Sequence, residues 1–101
     1  MNTRDLIQQA KARFSHQSSR EYLKEKYQSK LLVATQNGLW KADPSTIAFL
    51  SALSADEVVV IDTFEKPIKV DRVALLNSIT ERYLEVSTEY LAEWKKAEDS
   101  R

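Results

Sequence analysis

Chemistry in this 101-residue chain would have to come from one histidine and fifteen carboxylates, for there is no cysteine. Without thiols there is no thiolate zinc site, no thiol nucleophile and no disulfide framework. His16 has no second imidazole with which to ligate a metal and gives a Ser-His-Asp triad little context. It sits in the run Ser15 to Ser19, so a residue of a helix break is the expected reading rather than a ligand or a pH switch. Asp56, Glu57 and Asp62 with Glu65 could collect a hard cation. They flank an apolar run and lack the spacing of a calcium loop, so solubilising groups at strand ends are the simpler expectation. Glu81, Glu85, Glu89 and Glu93 recur every fourth residue, one face of a helix. They would pair as acid and base only if another helix brought partners, and otherwise form a solvent face or meet the basic residues of a neighbour. The single glycine, Gly38, excludes a Walker loop and a dinucleotide fingerprint, which need several glycines to bring backbone close to phosphate. No catalytic residue, cofactor or metal ligand is therefore assigned.

Binding chemistry has two candidate locations. Arg13, Arg20, Lys24 and Lys30, interleaved with Tyr22 and Tyr27, offer cations and stacking rings to a nucleic acid. The net charge of zero and a pI near 6.6 speak against that reading, since such proteins carry a basic excess. The zero is not uniform. Residues 1–30 carry a net +4, while residues 31–70 and 71–101 each carry −2. Trp40, beside a tight turn, either anchors a partner or packs into the core, the commoner fate of a tryptophan on a returning strand.

These residues must be held by elements that the pattern makes legible. Leu6, Ile7, Ala10 and Phe14 share a helical face. Ser18-Ser19-Arg20-Glu21 matches a capping box, so a second helix is expected from about Ser19 to about Gln28. Leu31–Thr35 and Leu39–Lys41 flank Asn37-Gly38, the preferred pair for a type I′ turn, and predict a hairpin over 31–42. Asp43-Pro44 starts a short helix over 44–53, with Ile47, Phe49, Leu50 and Leu53 mostly buried. Four successive β-branched residues, Val58–Ile61, predict a central strand covered on both faces, paired through a second hairpin over 57–70. Asp71 caps a long helix over 71–97 with a heptad-like seam of Leu76, Ile79, Tyr83, Val86, Tyr90 and Trp94. Leu75, Leu84 and Leu91 widen its apolar face. The class is α+β, one domain of two hairpins with N-terminal helices over 3–28, a short middle helix and a long C-terminal helix.

That last helix is as long as a compact domain of this size is wide. Its apolar face needs a cover, either the N-terminal helix or a second copy. A homodimer through Tyr83, Val86, Tyr90, Leu91 and Trp94 is the favoured expectation, with another protein as a further partner.

The stretches KLLVATQNGLWKADPSTIAFLSAL and EVVVIDTFEKPIKVDRVALLNSITERYLEVSTEYLAEWKK resemble small uncharacterised proteins of tailed bacteriophages. The resemblance rests on the ADP-S-T-I helix start and on a hairpin feeding a long helix that ends in Trp. It implies a setting in virion assembly or accessory binding, and carries over no functional residue. The expectation is a non-enzymatic structural or interaction protein that self-associates through its C-terminal helix. The alternative is a small nucleic-acid-associated accessory protein using the basic N-terminal helices. The N-terminus lacks the apolar run of a signal peptide and no stretch is long enough to span a membrane, so the expected place is the cytoplasm, that of the host or the virion if the gene is a phage's.

Overall fold

Both capping aspartates start helices as their chemistry dictates. In the computed structural model, which describes residues 19–99, the Asp43 carboxylate accepts the Thr46 N–H at 2.9 Å and Pro44 takes the first position of the helix that follows. Asp71 accepts the Ala74 N–H at 3.1 Å at the start of the last helix. The element order is α1 (residues 19–30), β1 (Leu32–Thr35), β2 (Gly38–Lys41), α2 (Pro44–Ala52), β3 (Glu57–Ile61), β4 (Pro67–Asp71) and α3 (Arg72–Asp99). The α+β class and the order of elements agree with the sequence pattern. Residues 3–18 of the expected N-terminal helices, with Arg13 and His16, lie outside the described residues.

The strands form two separate antiparallel pairs, β1 with β2 and β3 with β4. Their core faces meet α2 and the first half of α3. Trp40, Ala42, Leu50, Val60, Ile68, Val70, Leu75 and Ile79 form the buried cluster. Two polar ties lock the hairpins across each other. The Gln36 side-chain amide brackets Asp71, accepting its N–H at 2.7 Å and donating to its carbonyl at 3.2 Å. The Thr63 N–H donates to the Leu39 carbonyl at 3.0 Å. Arg72 reaches back to the end of α2, donating to the carbonyls of Leu50 and Ala55 and satisfying backbone groups that a helix end leaves open.

The structure corrects three expectations. The turn of the first hairpin is Gln36-Asn37, not Asn37-Gly38. Thr35 pairs with Gly38, and Gln36 and Asn37 carry the positive φ angles, 48° and 65°. Gly38 is the first residue of β2, and its reason is space. A Cβ there would lie 2.6 Å from Cζ2 of Trp40 and 2.8 Å from Cδ1 of Ile68. The indole lies flat over Gly38 and donates its N–H to the Thr35 carbonyl at 2.8 Å. Second, β3 is not a central strand. With two strands per sheet it keeps a free edge, and Val59 and Ile61 are each 66% exposed. Third, Phe49 on α2 points outward, 52% exposed, while Leu50 is fully buried.

The molecule is elongated, 66 × 26 × 21 Å, with a radius of gyration of 19.5 Å against roughly 13 Å for a compact chain of this length. At ~1.5 Å per residue, α3 outruns the core. Its first half belongs to a head with the hairpins and α2. Its second half runs with α1 as a two-helix stalk.

Candidate interaction surfaces

The stalk is built from the seam residues of α3. Tyr27 of α1 is buried against Tyr90 with ring centroids 5.1 Å apart and edge to face. Tyr90 stacks on Trp94 at 6.3 Å, and Val86 is buried beneath. Ion pairs line up antiparallel along the two helices: Arg20 with Glu98, Lys26 with Glu93 and Lys30 with Glu89. Basic residues of α1 and acidic residues of the second half of α3 thus face each other within one chain. Lys26 is held above its ordinary value by its hydrogen bond to Glu93. Glu93 is held below its own by hydrogen bonds from Tyr27 and Lys26. The Tyr27 hydroxyl is pushed up, by burial first and by Glu93 second.

Of the residues expected at a dimer interface, Val86, Tyr90 and Trp94 therefore lie on the face of α3 that meets α1 of the same chain, and Tyr83 lines the hollow between the two helices. Leu91 does neither. At 3.6 residues per turn, Leu84 and Leu91 lie about 100–120° round the helix from Tyr90, on a flank of α3 beside the face that meets α1. They are 59% and 52% exposed. Between them, Thr88 turns its hydroxyl onto the Leu84 carbonyl at 2.8 Å, so the stripe is broken by little unsatisfied polarity.

Of the cations expected to meet a nucleic acid, Arg20 also covers the Trp94 ring at 5.2 Å and Lys30 the Tyr27 ring at 4.9 Å. Both are engaged with carboxylates as well. Lys24 is exposed and lines a hollow of ≈ 220 Å³ between α1 and α3 with Tyr27, Tyr83 and Tyr90. The glutamate row divides: Glu89 and Glu93 meet α1, whereas Glu81 and Glu85 face solvent. Among the described residues no three carboxylates or imidazoles gather as a metal site.

Asp62 is the correction among the acids. It is buried rather than a solubilising strand end. Its carboxylate accepts the N–H groups of Phe64 and Lys66 at 3.0 Å each and of Leu39 at 3.3 Å. These bonds, that from Lys66 foremost, hold its carboxyl below the usual carboxylate range. Asp62 folds the β3–β4 turn around itself and ties it to β2. The signal was present in the sequence: an aspartate just past the end of a strand, at the start of a turn, hydrogen-bonds backbone just ahead of it.

The head carries the second surface. An open cleft of ≈ 610 Å³ is lined by Leu39–Lys41 of β2, by Ser45, Thr46 and Phe49 of α2, and by Val59 through Thr63. Trp40 lies in its floor, 2% exposed, so its place is the core and not a partner anchor.

Among the described residues no helix is long and apolar enough to cross a membrane. Compared with known protein families, with curated proteins and with solved structures, the chain matches none of them.

Proposed function

We propose that this chain is a non-enzymatic interaction protein that self-associates through an exposed apolar flank of its C-terminal helix. The observation that carries the reading is the Leu84–Leu91 stripe, more than half exposed on a stalk that is two helices thick among the described residues. A two-helix stalk buries one face of each helix. Pairing two stalks through these flanks would give each α3 a second apolar contact, the arrangement of a four-helix bundle. The seam residues first expected at the interface already have a partner in α1, so Leu91 keeps that role and Leu84 joins it. The resemblance to small tailed-phage proteins favours a role in assembly. The engagement of Arg20 and Lys30 with carboxylates and rings disfavours nucleic acid as the partner.

Sedimentation equilibrium at micromolar concentration tests the reading. The expected mass is twice the 11.6 kDa of the chain, and the double variant Leu84→Glu, Leu91→Glu should sediment as a monomer with unchanged helical content. A wild-type monomer across the concentration range overturns it.

A further inference from the structure

The head cleft lies between the edges of β2 and β3, which meet at one end, where the Leu39 N–H donates to the Asp62 carboxylate and the Leu39 carbonyl accepts the Thr63 N–H. Its β3 side is an uninterrupted run, Val59 to Thr63, and no β4 residue reaches it. Its β2 side is the run Leu39 to Lys41, and no β1 residue reaches it. Surfaces lined in this way follow the edge of a strand, where successive residues are met in turn, rather than its face, where alternate ones are.

The hydrogen-bonding parity of both edges is fixed by bonds just beyond the strands. The Arg72 N–H donates to the Asp56 carbonyl and the Asp62 N–H to the Lys66 carbonyl. In an antiparallel ladder such pairs alternate with outward-facing ones. The register then turns Val58 and Val60 toward β4, and turns the backbone groups of Val59 and Ile61 toward the cleft. By the same rule, the bond from the Ala42 N–H to the Leu31 carbonyl turns Lys41 outward on β2.

The two edges of the β3–β4 sheet are treated differently. On the far edge, Pro67 removes an outward donor and Lys69 stands exposed in an ion pair with Glu57 at 2.9 Å. Proline and lysine are the usual protections of an edge against further pairing. The cleft edge, Val58 to Ile61, carries neither and is β-branched throughout.

From this geometry we infer that the cleft receives an extended peptide segment of a partner protein, added as a strand to the free edge of β3, with apolar side chains at alternate positions against Phe49, Val59 and Ile61. Backbone hydrogen bonds to Val59 and Ile61 give the affinity, and the apolar wall selects the side chains. The occupant is a single strand and not the β3 of a second copy. The latter would bring its own β4 on its far edge, where β2 already walls this cleft and the Leu39–Thr63 bond closes its end. The inference does not rest on association through α3, since the two surfaces are on the head and on the stalk.

The probe is an acetylated and amidated peptide of alternating Thr and Val, flanked by Glu and Lys for solubility, titrated into the full chain and followed through backbone amide signals. Because main-chain bonds carry the affinity, a generic alternating sequence suffices. The expected result is saturable shifts at Lys41, Val59 and Ile61, and amide exchange at Val59 and Ile61 slowed at least about 10-fold. The same peptide N-methylated at every bond keeps the side chains, loses the donors and should produce neither effect. The inference is overturned by no saturable shift up to about 1 mM peptide, by equal shifts from the methylated peptide, or by shifts that map to Leu84 and Leu91 instead.

Discussion

Replacing Gly38 by Ala separates two reasons for a glycine. In β2 the φ of Gly38 is not positive, so an alanine meets no left-handed backbone. It meets Trp40. The new Cβ would sit 2.6 and 2.8 Å from two indole carbons, where carbon pairs rest at about 3.5–4.0 Å. Something must move by roughly an ångström, and the indole has little freedom to do so. It is 2% exposed and its N–H is bonded to the Thr35 carbonyl at 2.8 Å. Overpacking of this kind costs about 1–3 kcal/mol, and losing the indole hydrogen bond adds roughly 0.5–1.5 kcal/mol. Against this, alanine is favoured over glycine within a strand by about 0.5–1 kcal/mol. The net expectation is a loss of about 1–3 kcal/mol, read from urea denaturation followed by far-ultraviolet circular dichroism. The decisive arm repeats the substitution in a Trp40→Phe background. A phenyl ring lacks the outer part of the indole, so the cost should shrink to the part set by Ile68, whose Cδ1 would still lie 2.8 Å from the new Cβ. A wild-type midpoint for Gly38→Ala refutes the argument, as does a cost that persists undiminished with phenylalanine at position 40.

Three further predictions follow from the head and the stalk. Leu75→Ala empties a fully buried site between α3 and the hairpins, and should cost about 2–5 kcal/mol in the same assay. Asp62 has a folded pKa below its unfolded value, set first by the Lys66 N–H; it therefore adds stability above the unfolded range near about 3.9, and that increment is lost as pH falls through the lower folded value. Urea midpoints taken from neutral to acid pH should fall less steeply for Asp62→Ala than for the wild type, and parallel curves would count against the three-amide role. Trp94→Ala removes the ring stacked on Tyr90 and covered by Arg20; amide exchange in α1 should quicken by about 10-fold while that of Leu75 and Ile79 stays unchanged, and uniform acceleration would show that stalk and head do not open separately.

The backbone signals in the sequence were legible because each acts locally. Asp43-Pro44 and Asp71 need only the first turn of the helix that follows them, and both are found where they were read. The hairpin at 31–42 was legible as a hairpin but displaced by one residue in its turn. Asn-Gly is the commoner type I′ pair, yet Gln36-Asn37 takes the two positive φ angles because Gly38 is required beneath the indole. That requirement is a contact between residues two apart on a strand and with Ile68 of another sheet, which no local rule contains. Asp62 differs in part for a related reason: the bonds from Phe64 and Lys66 are local to its turn, whereas the third, from Leu39, comes with the approach of β2.

The largest misreading, that of Val58–Ile61, is also the most informative. Four β-branched residues in succession predict a strand covered on both faces, since an exposed strand ordinarily alternates. The fold covers only Val58 and Val60, and leaves Val59 and Ile61 two-thirds exposed beside Phe49. An edge strand can be protected cheaply, as Pro67 and Lys69 show on the neighbouring strand of the same sheet. A single lysine at position 59 would keep every β3–β4 hydrogen bond, because its side chain faces away from the core. The sequence pattern thus describes a strand with two covered faces and a second neighbour, whereas the isolated chain supplies one of each. A peptide added at the cleft edge, as inferred above, would supply the second neighbour and leave the face of Val59 and Ile61 open; in the chain itself β3 is an edge strand.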